Sequence, residues 1–204
     1  CCSIASMARA GSMWTYNVIR RLLAHSGAVV LLERVPVTEE EQIQAAAAAF
    51  AEPAAGLARG SSPRGITCVK THLPLELPPE ARPEVRIVTP YRDVRDAMLS
   101  YMRFTHCDFA RGLGAVRGMM QLTDTLLGKA GKIVSDGAGP NGAGDGTATL
   151  GLKYEEMTAE PRRAIAAIAD FLGVGLDQNA IAEIDAAFSR DAVKRLTESI
   201  GGAV

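Results

Sequence analysis

Apolar positions along this chain fall into two alternating rhythms, short continuous runs and stripes at helical spacing. The run Cys2-Ser3-Ile4-Ala5-Ser6-Met7 reads as a strand. After the turn Arg9-Ala10-Gly11-Ser12 a helix begins, in which Trp14, Val18 and Leu22 recur at i, i+4 and i+8 with Ile19 beside them. Ser12 is placed to cap that helix. Ile66 to Val69 reads as a second strand, and Ile87-Val88 as a third that Pro90 breaks. Asp93 then caps a helix with the apolar face Val94, Ala97, Met98 and Tyr101. Leu113 to Leu127 is helical, with Met119, Met120, Leu122 and Leu126 partly buried. Thr158 caps a helix carrying Ile165, Ile168 and Leu172, which Gly173 ends. Asp177 caps a last helix carrying Ile181, Ile184 and Phe188. Strands alternating with helices predict an α/β fold of three layers, a parallel sheet flanked by helices, with ligands at the carboxyl ends of the strands.

Three further segments complete the outline. Thr38-x-x-Glu41 is a capping box opening an Ala-rich helix to Phe50. Residues 52–65, rich in Gly, Pro, Ser and Arg, form a loop, and 128–146, made of Gly, Asp, Asn and Ala, a flexible Gly-rich one. The chain has 204 residues, 48% of them hydrophobic, which suits one domain spanning 1–204 with a real core. A formal net charge of −1 argues against general nucleic-acid affinity and no apolar run is long enough to span a membrane. The start Cys1-Cys2 shows neither an initiator methionine nor a signal pattern and reads as processed, trimmed or partial. Four cysteines, two of them adjacent, make a poor disulfide framework, so a reducing cytoplasm is the expected home.

The chemistry concentrates at three places. In Cys68-Val69-Lys70-Thr71-His72-Leu73-Pro74 a cation and a base stand two apart where a strand runs out, so Lys70 and His72 face the same side. Lysine supplies a fixed charge there and imidazole a proton acceptor near neutral pH. At Arg9 to Ser12 a strand, a tight turn and a helix start follow one another, and the free amides and positive dipole end suit a phosphate. The spacing is not that of a Walker loop, since no lysine follows Gly11. Arg92 sits at the carboxyl end of the third strand, and Ser100 lies about two turns into the next helix. His25, His72 and His106 are far apart and the cysteines lack zinc spacing, so no metal is expected. His106-Cys107-Asp108 is read as loop residues.

Taken together, these blocks resemble the sulfotransferase family that uses 3'-phosphoadenosine 5'-phosphosulfate (PAPS), most like its cytosolic-type branch in a short form. Ala8-Arg9-Ala10-Gly11-Ser12-Met13-Trp14 is similar to the family's 5'-phosphosulfate loop, with Arg9 at the lysine position. Lys70-Thr71-His72-Leu73-Pro74 matches the block with the catalytic histidine, and Arg92 through Ser100 the 3'-phosphate block. Leu152-Lys153-Tyr154-Glu155-Glu156-Met157 resembles the strand whose tyrosine contacts the adenine. The resemblance implies a P-loop-like nucleotide-binding topology and transfer of a sulfuryl group from PAPS to a hydroxyl or amine of a small-molecule acceptor, leaving adenosine 3',5'-bisphosphate (PAP), without a metal. It makes His72 the general base and gives Lys70 and Arg9 the charge on the sulfuryl group. Arg9, Ala10, Gly11, Ser12, Met13 and Trp14 would form the donor loop, Arg92 and Ser100 would hold the 3'-phosphate, and Tyr154 and Ser189 would meet the nucleoside. Its partners would be the small-molecule acceptor, with no nucleic acid and no membrane span, and a homodimer is left open.

The chain departs from the family pattern in three ways. Arginine replaces lysine at position 9, Pro90 and Tyr91 replace apolar residues before Arg92, and the family's C-terminal Arg-Lys-Gly-x-x-Gly block has no match. Either the chain is a truncated or divergent form with weaker donor binding, or Arg190, Lys194 or Arg195 substitutes for it. Two other classes therefore stay open, a non-catalytic nucleotide-binding module of the same fold and a divergent P-loop kinase or NTPase.

Overall fold

The computed structural model describes residues 2–26, 29–30, 44, 65–66, 68–72, 85–129 and 148–192. In chain order the elements are β1 (Cys2–Ala5), α1 (Ser12–His25), β2 (Val29–Val30), β3 (Gly65–Ile66), β4 (Cys68–Thr71), β5 (Arg86–Tyr91), α2 (Val94–Thr105), α3 (Phe109–Lys129), β6 (Ala148–Lys153), α4 (Tyr154–Ala159), α5 (Pro161–Leu172) and α6 (Gln178–Phe188). Among the described residues β4, β1, β5 and β6 form one sheet in that order, all pairs parallel, and β2 pairs with β3 separately. This is the expected α/β architecture.

Each layer follows from which face of a strand is apolar. Cys2, Ile4, Cys68, Val88, Leu150 and Leu152 share one face and join Val18, Ile19 and Leu22 of α1 with Ile165 and Ile168 of α5 in a single core. Fully buried side chains such as Ile4, Ile19 and Ile165 each contribute roughly 1.5–3 kcal/mol. Trp14 packs against the same core. Across the sheet α3 comes close: a Cβ added at Gly151 would stand 2.8 Å from Leu127 Cδ2. The buried line of α3 is Gly112, Val116 and Thr123, with Met119 half-buried. Met120 points outward, and the side chains of Leu122 and Leu126 lie outside the described residues.

Several helix ends form as expected. Asp93 accepts from Arg95 N–H at 2.9 Å and Asp177 from Ala180 N–H at 2.7 Å, each capping its helix. Gly173 ends α5 at φ 72. Other expectations are corrected. Pro90 does not break β5, which runs on to Tyr91. The β1 ladder stops at the pair Ile4 and Val88, so at Pro90 the strand is paired only with β6 and its missing N–H removes no bond on the open side. Ser12 is the first helical residue of α1 rather than its cap; Gly11 takes the cap position at φ 88, a conformation glycine adopts without a steric penalty. Thr158 lies inside α4 and donates to Glu155 O, and Pro161 opens α5. Tyr154 starts α4 instead of ending the strand. The predicted loop at 128–146 begins later, because α3 continues through Lys129. The rest of that loop, the helix after Thr38 apart from Gln44, nearly all of the 52–65 loop, and Lys194 and Arg195 lie outside the described residues.

Candidate functional site

Parallel strands bring their carboxyl ends to one edge of the sheet, and four connections leave from that edge: Ser6–Gly11 after β1, His72 after β4, Arg92–Asp93 after β5 and Tyr154 after β6. The first bond of α1 runs from Thr15 N–H to Gly11 O at 3.0 Å. The amides of Ser12, Met13 and Trp14 therefore precede the helical ladder, and neither a side-chain cap nor an acidic residue answers them. Such an end attracts an anion. Tyr154 closes over the turn, since a Cβ on Gly11 would lie 3.1 Å from its Cδ2.

Arg9 takes the left-handed conformation, φ 65, a strain of about 1–2 kcal/mol for a side-chain-bearing residue. Two contacts hold it there. Its Nε donates to Ser100 Oγ at 3.1 Å, and its guanidinium lies 4.7 Å from the ring centre of Phe104. Ser100 and Phe104 stand one turn apart on α2, so one helix face aims both at Arg9.

Arg92 approaches from the other side. Its guanidinium stacks 4.4 Å from the centre of the Tyr154 ring, and Nη1 reaches Arg9 O at 3.5 Å. Asp96 is its ionic neighbour at 3.6 Å and is largely exposed, so the pair is loose and an anion can take its place. Nε of Arg92 is buried without a hydrogen-bond partner among the described residues. An unpaired buried donor is costly, and a bound acceptor would remove that cost.

Lys70 and His72 meet as their spacing predicts, Nζ to Nε2 at 2.8 Å. His72 Nδ1 stands 2.8 Å from Ser6 O, a pure acceptor, so the proton of the neutral ring is on Nδ1 and Nε2 carries the lone pair. Burial lowers the His72 pKa first, the charge on Lys70 lowers it further, and the bond to Ser6 raises it. Burial likewise lowers the Lys70 pKa. The ring is thus a neutral base at pH 7.

A sulfotransferase domain profile matches residues 2–199. The chain belongs to the sulfotransferase family. Its fold is that of the solved sulfotransferase-type structures. Retinol dehydratase in complex with androsterone and PAP superposes with a TM-score of 0.61 at 20% identity, over 94% of this chain and 64% of that one. The mouse sulfotransferase SULT7A1 with PAP gives 0.61 at 17%, over 95% and 65%. Retinol dehydratase with retinol and PAP gives 0.60 at 21%, over 94% and 65%. The chain thus spans slightly under two thirds of the length of these structures.

Within this sulfotransferase-family chain the structure joins Arg9, Gly11, Arg92, Ser100 and Tyr154 in one contiguous set, with Lys70 and His72 tied to the same connection through Ser6. Three more of the expected residues are placed as follows. The side chain of Ala10 is buried beside Met7, Ala97 and Met119, and Met13 is exposed, so these offer main chain and not side chain to the turn. Ser189 bonds within its own turn, to Ala186 O and from Ala192 N–H. Sequence reasoning missed Phe104, which its i+4 relation to Ser100 could have revealed. It also missed Glu155, whose carboxylate accepts Asp93 N–H at 3.1 Å, and Met119, whose sulfur accepts Ala8 N–H at 3.4 Å. Those two depend on elements distant in sequence.

Proposed function

We propose that residues 1–204 form one sulfotransferase-like domain and that it transfers a sulfuryl group from PAPS to a hydroxyl or amine of a small-molecule acceptor. The observation carrying this reading is the pairing of a tautomer-fixed His72, its Nε2 lone pair 2.8 Å from Lys70 Nζ, with an uncapped helix start on the same sheet edge. When bound, PAPS supplies an activated sulfuryl group and a stable leaving group, PAP. The residues present fit it. The open amides of Ser12, Met13 and Trp14 and the charge of Arg9 suit its 5' end, and Arg92, with its unpaired buried Nε, and Ser100 suit its 3'-phosphate. Tyr154 offers a ring face between Gly11 and Arg92.

His72 Nε2 takes the acceptor's proton as the acceptor oxygen or nitrogen attacks. To free that lone pair, Lys70 leaves Nε2 and turns its ammonium toward the developing negative charge, joined there by the loop amides and by Arg9 once its guanidinium leaves Ser100 and Phe104. Nδ1 keeps its bond to Ser6 O throughout and steadies the imidazolium. An acceptor of small-molecule size is in keeping with the androsterone and retinol held by structural neighbours. Free Cys2, Cys68 and Cys107 suit a reducing cytoplasm.

The test is transfer from labelled PAPS to a panel of alcohols, phenols and amines in the presence of a chelator. The parent should turn over and His72→Ala should lose turnover while binding PAP normally. Equal rates for the two proteins would remove His72 from its role, and PAP binding with no transfer by the parent would favour a non-catalytic module.

A further inference from the structure

Glu155 has no part in the chemistry above, yet its environment is unusual for a carboxylate. One oxygen accepts Asp93 N–H at 3.1 Å across two connections far apart in sequence. The other, Oε2, is buried and has no hydrogen-bond partner among the described residues. A carboxylate in that position is costly, so the single bond it makes has to matter to the local geometry. That bond is to the amide directly following the Cα of Arg92. Because the peptide unit is planar, gripping Asp93 N–H fixes the plane that sets ψ of Arg92. The preceding residue, Tyr154, lies against the Arg92 guanidinium at 4.4 Å. Two consecutive residues at the start of α4 thus hold one arginine by its main chain and by its side chain. Glu155, Arg92 and Asp93 also line one cavity of about 470 Å3 with Tyr91, Asp96 and Lys153, so the grip is at the rim of open space and not inside the core.

We propose that Glu155 is a positioning residue for phosphate recognition, setting the main chain of Arg92 so that its guanidinium faces the ribose 3'-phosphate. The proposal rests on Arg92 being the anchor of that phosphate. A helix-capping residue such as Asp93 does not spend its own N–H on the helix, whose first bond runs from Ala97 N–H to Asp93 O at 2.9 Å. Without Glu155 that amide turns to water, the bend between β5 and α2 loosens, and Arg92 pays in entropy whatever it gains from the anion.

Calorimetry with PAP and with adenosine 5'-monophosphate tests this in the parent, Arg92→Ala, Glu155→Ala, Glu155→Gln and the Arg92→Ala/Glu155→Ala double variant. The parent should prefer PAP strongly and Arg92→Ala should lose that preference. Glu155→Ala should lower PAP affinity about tenfold and leave the monophosphate within about twofold, the effect of one hydrogen bond acting through a second residue. Glu155→Gln, whose amide oxygen can still accept Asp93 N–H, should restore PAP binding. The double variant should bind PAP no worse than Arg92→Ala, because the two changes remove one function. An unchanged preference in Glu155→Ala, or an equal loss for both ligands, overturns the proposal while the Arg92 assignment stands. A parent without any preference overturns the assignment and the proposal together. Should Glu155→Ala fold poorly, Glu155→Asp, too short to reach the amide, serves instead; a parent-like preference there is equally fatal.

Discussion

Only neutral His72 can accept a proton, and burial together with the charge of Lys70 holds its pKa below the usual imidazole value. In the proposed mechanism the active form is therefore the deprotonated one, present above that pKa, and activity should fall only as pH drops below the ordinary value of about 6.5. We expect the acid limb of kcat/KM to lie under that value in the parent. Lys70→Met removes one of the two causes of the lowering, so its limb should move toward higher pH as well as its rate dropping; a limb that stays put would show that Lys70 does not act on His72. The same shift enters stability with a matching sign. Since the folded pKa is the lower one, the contribution of His72 is complete above the unfolded value and is lost as pH falls through the folded one. Asp93 carries the opposite exposure: hydrogen bonds from Arg95 bring its carboxyl down to about 2, so its cap persists through any pH at which the protein would be assayed.

Among the elements, the turn before α1 is the most demanding. Gly11 stands at φ 88 with Tyr154 and Met157 close by, so a side chain there is opposed both by its backbone conformation and by its neighbours. Gly11→Ala should cost about 1–3 kcal/mol in urea unfolding and should also weaken PAP, because relieving the strain moves the open amides of Ser12 to Trp14. Unaltered stability would contradict the left-handed turn. Asp177 provides the contrasting case. It caps α6 through Ala180 N–H and belongs to the scaffold, so Asp177→Ala should lower stability by about 1 kcal/mol and leave the Kd for PAP where it was. A change in PAP affinity would instead couple α6 to the site.

For the molecule as a whole, the candidate site gathers Arg9, Lys70 and Arg92 on one sheet edge although the formal net charge is only −1. Concentrated charge of this kind makes binding electrostatic and sensitive to screening. PAP at a hundredfold excess over its Kd should stabilise the fold by about 2.7 kcal/mol, visible as a rise in Tm that exceeds the rise with adenosine 5'-monophosphate and shrinks with added salt. Equal shifts from both nucleotides would argue that the second phosphate is not recognised.

What the chain alone determined lies in local chemistry. The apolar stripes of α1, α5 and α6, the caps at Asp93 and Asp177 and the stop at Gly173 are legible because each depends on residues within a turn or two. Lys70 and His72 were likewise readable, since strand geometry places residues two apart on one side. Other features needed the fold. The passage of β5 through Pro90 depends on where the β1 ladder stops, and the crowding of the Gly11 cap by Tyr154 on the packing of a distant segment. The grip of Tyr154 and Glu155 on Arg92 and Asp93 is longer in range still. A contact between residues sixty positions apart is set by which strands become neighbours, and the period of a single strand or helix carries no record of that.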